Sequence, residues 1–110
     1  MNQPYVEQFT DAEIGTVLEQ AMIYMCACPA QVAATLRTVR ELHRYQERCM
    51  ESPKADKAVH VEIAKAAAAA HTVLQDCLLK IIELEGWDRS TLQMPEGLRE
   101  CQLRELDEGI

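Results

Sequence analysis

The sequence predicts an all-α fold, a single antiparallel helical bundle with three long helices and a short C-terminal helix. Glycine and proline, which interrupt helices, occur only four times each in the 110 residues, whereas strong helix formers such as Ala, Leu, Glu, Gln and Arg are abundant. Apolar residues recur at helical spacing, and residues that favour helix ends separate these stretches. The length suits one domain, which we expect to span residues 1–110.

The first helix is predicted to begin at Thr10 and to end near Cys26. Thr10 and Glu13 have the spacing of a capping box, in which each side chain bonds the backbone amide of the other residue. Pro29 disfavours helical geometry in the residue before it, so the helix should stop ahead of that position. The apolar stripe of this helix consists of Ile14, Leu18, Ala21 and Met25.

The second helix is predicted to have Cys28 as its cap and Pro29 as its first residue, because a proline ring suits the first turn of a helix. By the same reasoning, Ser52 should cap the third helix and Pro53 should open it. The inward face of the second helix is Val32, Leu36, Val39, His43, Gln46 and Met50.

The third helix is predicted to run from Pro53 to Glu85. Gly86 can adopt the left-handed conformation that ends a helix, and Trp87 would then pack back on the last turn. Pro95 should open the short fourth helix. The apolar face of that helix is Met94, Leu98 and Cys101.

Four of the five cysteines are predicted to gather at one end of the bundle. Short turns make neighbouring helices antiparallel, which sets Cys26 level with Cys77, with Cys28 beside them and Cys101 nearby. The thiols could simply pack as small apolar groups. They could instead bind zinc, copper or an iron–sulfur cluster, all of which accept thiolate ligands. In a third interpretation Cys28 is a reactive thiol at a helix N-terminus, and Cys26 is its resolving partner.

Two histidines are predicted to meet at the opposite end. The same pairing sets His43 level with His60, and both lie on inward faces with Glu47 and Asp56 one turn away. The pair could be hydrogen-bonded and structural, could share a metal, or could serve as axial haem ligands. The Glu-x-x-His pairs of di-iron bundles are missing from the sequence, as is the C-x-x-C-H motif of covalent haem attachment.

Charge and motif content exclude several classes of function. The 18 acidic and 11 basic residues give a net charge of −7, which argues against a nucleic-acid partner and against an anionic membrane surface. No apolar stretch approaches the roughly 20 residues of a membrane span. The N-terminus lacks the features of a signal peptide, so we expect a cytoplasmic protein with reduced thiols. Phosphate-loop, serine-hydrolase and zinc-protease motifs are missing.

The third helix predicts self-association. It should extend beyond the second helix, so that the segment from Gln75 to Glu85 has no neighbour there. A helix that is apolar around nearly its whole circumference should be buried on nearly all sides. We therefore predict a homo-oligomer, most simply a dimer, and a bundle without enzymatic activity. The alternative functions are a thiol redox enzyme and a metal- or haem-binding bundle. Another protein could also be a partner. The apolar residues of the segment are Leu78, Leu79, Ile81, Ile82 and Leu84.

Overall fold

The computed structural model describes residues 5–24, 28–53 and 56–95, and within them it shows three helices and no strand. The helices are α1 (Asp11–Tyr24), α2 (Cys28–Met50) and α3 (Lys57–Glu85). The all-α prediction is confirmed. Within the described residues, none of these helices is both long enough and apolar enough to cross a membrane.

The start of α1 follows the predicted capping box. The backbone amide of Thr10 donates to Glu13 Oε1 at 2.9 Å, and the amide of Glu13 donates to Thr10 Oγ1 at 3.1 Å. Both acidic residues of the first turn, Asp11 and Glu13, suit the positive end of the helix dipole. The predicted end near Cys26 lies outside the described residues.

The start of α3 is a correction to the sequence prediction. The helix begins at Lys57 rather than at Pro53. Its cap is Asp56, whose Oδ1 accepts from the amide of Val59 at 3.4 Å, whereas Ser52 and Pro53 lie in the turn that follows α2. An aspartate caps a helix as well as a serine does, and the later start lengthens the turn between the two helices.

The end of α3 is confirmed as predicted. Gly86 has a φ of 75°, and its amide donates to the carbonyl of Glu83 at 3.2 Å. The amide of Trp87 donates to the carbonyl of Ile82 at 3.0 Å, and the indole is buried. These two bonds form a Schellman motif. Apart from Gly86 and its two chain neighbours, no described residue has an atom within 4 Å of where a Cβ at Gly86 would be, so glycine is favoured there by the positive φ rather than by lack of space.

The main apolar core lies at the end of the molecule where α3 ends. The loop after α3 returns across α1, where the amide of Met94 donates to Gln20 Oε1 at 3.1 Å and Arg89 Nη1 bonds Glu13 Oε2 at 2.9 Å. Leu78 and Ile82 are therefore covered within the chain instead of projecting, and only Leu84 stays largely exposed. The core consists of Phe9, Ile14, Val17, Ala33, Leu36, Leu78, Ile82, Trp87, Leu92 and Met94.

The molecule is elongated, with extents of 56 × 27 × 19 Å, because α2 and α3 are long helices. They have 23 and 29 residues, against 14 in α1. Arg40 of α2 bonds His71 of α3, whereas Gln46, later in α2, bonds His60, earlier in α3. We call this pair of helices the α2–α3 hairpin. Part of the predicted fourth helix, with Leu98 and Cys101, lies outside the described residues.

Candidate functional site

A buried arginine organises the side of the hairpin that faces α1. The Arg40 side chain is 1% exposed, and a buried charge must be paired and hydrogen-bonded to be tolerated. Its Nε donates to His71 Nε2 at 2.9 Å, its Nη1 to Asp11 Oδ1 at 2.9 Å, and its Nη2 to Gln75 Oε1 at 3.3 Å. One guanidinium therefore connects all three helices.

Residues 5–10 form a segment that we call the N-terminal strap. Its backbone is held against the polar centre, which consists of Arg40, His71 and Gln75. Gln75 Oε1 accepts from the amides of Gln8 at 2.9 Å and Phe9 at 3.3 Å, and Gln75 Nε2 donates to the carbonyl of Val6 at 2.6 Å. A single side-chain amide thus satisfies three main-chain groups that would otherwise be left unpaired in a partly buried position.

The first described residue of the strap, Tyr5, lies between two histidine rings. It stacks on His71 with ring centroids 3.8 Å apart, and it meets His43 edge-on at 5.0 Å. Glu7 pairs with Arg44, which also bonds Asp11 at 2.9 Å. Burial and the nearby Glu7 carboxylate raise the pKa of Tyr5, so the phenol stays protonated.

His71 is uncharged at neutral pH. Arginine can only donate, so His71 Nε2 must be the acceptor and the ring proton must lie on Nδ1. Burial, together with the positive charge of Arg40, lowers the pKa of His71 to about 4. Its Nδ1 has no hydrogen-bond partner among the described residues. The ring is completely buried, which suits a structural role rather than acid–base chemistry with a ligand.

The two predicted histidines have different neighbours from those expected. His60 Nδ1 bonds Gln46 Oε1 at 2.5 Å, whereas His43 Nδ1 lies 2.9 Å from Glu47 Oε1 and its ring contacts Tyr5. The pairing between α2 and α3 is therefore displaced from the predicted levels, by three residues at the bond between Gln46 and His60 and by eight at that between Arg40 and His71, because α3 begins later. Their predicted role as metal or haem ligands stays a prediction.

The predicted thiolate cluster is described only in part. Cys28 and Cys77 are exposed free thiols, while Cys26 and Cys101 lie outside the described residues. Across residues 5–24, 28–53 and 56–95, no group of three or more His, Cys, Asp or Glu side chains is placed to hold a metal ion. Zinc, copper and iron–sulfur binding through Cys26, Cys28, Cys77 and Cys101 stays a prediction.

The other side of the hairpin has the opposite character, because a line of uncharged residues runs along each helix. On α2 the line has alternating spacings of four and three residues, and every charged residue of the helix lies off it. On α3 the line follows nearly the same spacing, which is typical of a helix that packs against another helix along a seam. We call the two lines together the uncharged face: Gln31, Thr35, Thr38, Leu42, Tyr45 and Cys49 on α2, and Val59, Ile63, Ala66, Ala70, Val73, Cys77, Ile81 and Leu84 on α3.

The uncharged face is open to solvent. All its residues are exposed or half-buried, and among them Tyr45 is 55%, Val73 68% and Leu84 74% exposed. Leu42 lies about 200° around α2 from Arg44, which faces the strap. A groove of about 400 Å³ between the helices is lined by Val39, Leu42, Glu62, Ile63, Ala66, Ala67 and Ala70.

Comparison with family models, with curated proteins and with solved structures found no match to this chain.

Proposed function

We propose that the protein is a non-enzymatic, self-associating helical bundle, and that the uncharged face is its interface. The observation that carries the proposal is the absence of charge from fourteen exposed or half-buried positions in a chain with 26% charged residues. Depletion of charged residues is what distinguishes the centre of a protein interface from the rest of a surface. A solvated face would carry charges instead.

The size of the face supports the proposal. From Val59 to Leu84 the helix rises about 37 Å at 1.5 Å per residue, and two adjacent helices are about 20 Å wide. The face therefore offers roughly 700 Å² per protomer, close to the ~800 Å² that each partner contributes to a stable interface. Burying Leu42, Val59 and Val73 there would also remove large apolar side chains from water.

The proposal retains the predicted antiparallel bundle and homodimer but changes the location of the interface. Leu79 packs against the core and Ile82 belongs to it, so charges at these two positions would disrupt the fold itself. The non-enzymatic part is supported by the burial of Arg40, His71 and Gln75, which keeps the side chains of the polar centre away from a substrate in solvent.

Sedimentation equilibrium over a wide concentration range tests the proposal. We expect wild-type dimers in the micromolar range and monomers for Val73→Glu, because a charge at the centre of an apolar interface leaves that charge unpaired. Val61→Glu is the matched control, since Val61 is also an exposed valine of α3, at 44%, but lies off the uncharged face. A wild-type protein that stays monomeric at several hundred micromolar would contradict the proposal.

A further inference from the structure

Two charged residues border the α3 side of the uncharged face, and they have opposite sign. Glu62 and Lys80 are exposed, and their separation of 18 residues corresponds to about five full turns of helix. Both side chains therefore leave α3 in the same direction, along one edge of the face. The other charged residues of this part of the helix lie about 40–60° further from the face at 100° per residue: Lys65, Asp76 and Glu83.

The positions of these two charges are symmetric about the middle of the face. Residue 71 lies midway between Glu62 and Lys80, and the α3 line from Val59 to Leu84 has nearly the same midpoint. If a second copy packs antiparallel across a two-fold axis at this level, Glu62 meets Lys80 of the second copy, and the symmetry repeats the pair. A parallel two-fold packing would instead set this edge of one copy across from the opposite edge of the second copy, so the two charges would not meet.

The small residues of α3 fit the same arrangement. An axis near residue 71 sets Ala66 opposite Cys77 of the second copy, and Ala70 opposite Val73 of the second copy. Alanine at such positions lets two helix axes approach to about 8 Å. On α2, the bond between Arg40 and His71 shows that the axis would pass close to Thr38, where short uncharged side chains leave room for a neighbour.

We infer that the self-association proposed above is an antiparallel two-fold packing of α3 on α3 of a second copy, fixed in register by the pairs between Glu62 and Lys80. The inference rests on the proposed function and specifies its geometry. Each dimer contains two such pairs at the rim of the interface. Charges at a rim set the register and the orientation of the partners more than they set the affinity.

Charge exchange tests the inference by sedimentation and by mixing. Glu62→Lys and Lys80→Glu should each weaken dimerisation about tenfold, because two attractive pairs worth up to ~1 kcal/mol each become repulsive. An equimolar mixture of the two variants should dimerise as the wild type does, since every pair is again complementary. The variant with both changes should also recover. Lys65→Glu is the control and should have little effect.

The outcomes separate the two proposals. If wild type dimerises but Glu62→Lys and Lys80→Glu behave as Lys65→Glu does, self-association stands and the antiparallel register is wrong. If the equimolar mixture of Glu62→Lys and Lys80→Glu dimerises no better than either variant alone, the two charges do not meet across the interface and the inference is overturned. If wild type is monomeric, the proposed function fails and the inference fails with it.

Discussion

The two sides of the α2–α3 hairpin reverse the usual distribution of charge. The side covered by α1 and the strap buries Arg40 and His71 and holds the carboxylates of Glu7 and Asp11. The uncharged face carries no Asp, Glu, Lys, Arg or His along either line, although it is open to solvent. Charge in this protein therefore joins segments of one chain, and its absence marks the surface that we propose for a second chain.

The largest effect on stability is expected on the side of the hairpin that α1 and the strap cover. Arg40→Met removes the donor to His71, Asp11 and Gln75 and leaves the buried His71 Nε2 without a partner, so we expect the free energy of unfolding to fall by about 3 kcal/mol. Arg37→Met, at an exposed arginine of the same helix, should change it by less than ~0.5 kcal/mol. Urea denaturation measures both. Equal effects would show that the network contributes nothing specific.

The next effect concerns the strap. Gln75→Leu keeps the bulk of the side chain but leaves the carbonyl of Val6 and the amides of Gln8 and Phe9 without their partner, which we expect to cost about 2 kcal/mol. Amide hydrogen exchange should show the loss at Gln8 and Phe9 first. If exchange at these amides is unchanged while global stability falls, Gln75 stabilises the core without holding the strap.

Acid should weaken the covered side selectively. The folded-state pKa of His71 is about 4, against an ordinary 6.5, so the unfolded chain takes up the proton first as the pH falls. The stabilisation is complete above pH 6.5 and is lost as the pH falls towards 4. The loss can reach roughly 3 kcal/mol at 1.36 kcal/mol per pKa unit.

His71→Gln provides the control for this pH dependence. Its side-chain oxygen can still accept from Arg40, but it does not titrate, so unfolding free energies measured at pH 7 and pH 4.5 should differ less than in wild type. The lowered pKa of Asp11, caused by its bonds to Arg44 and Arg40, acts only below its ordinary value of 3.8. A His71→Gln curve that falls as steeply as the wild-type curve between pH 6.5 and 4.5 would assign the effect to another group.

The smallest effect is expected on the uncharged face. Under dilute conditions, where the protein is monomeric, Leu42→Glu should change the free energy of unfolding by no more than ~0.5 kcal/mol, because the site is on the surface. Thermal unfolding at low and high concentration measures this. A large loss in the monomer would show that Leu42 supports the hairpin itself, and the contrast between the two sides would disappear.

Local signals in the sequence predicted the helix ends best. The capping box at Thr10 and Glu13 and the terminating Gly86 depend on few neighbouring residues, and both were correct. The start of α3 was wrong because Ser52 and Asp56 are comparable caps, and the choice depends on how far the turn must reach. This error of four residues at Lys57 was enough to shift the predicted neighbours of His43 and His60.

The polar centre could not be predicted from hydrophobic patterns. Arg40 and Gln75 are usually exposed residue types, and their burial depends on partners that are distant in sequence. His71 lies four residues after Ala67 and seven before Leu78, on the buried side of α3, and this spacing was the available signal. The uncharged face was missed for a related reason, since Thr and Gln on α2 do not form an apolar stripe.

The way Gln75 holds the strap has a consequence for tolerance to amino-acid change. Within the strap its amide bonds main-chain atoms only, so attachment does not depend on which side chains occupy positions 6 and 8, and Val6 is 74% exposed. Tyr5 and Phe9 are instead enclosed by the rest of the fold. Random substitution should therefore be accepted readily at the two inner positions and poorly at the two positions that flank them.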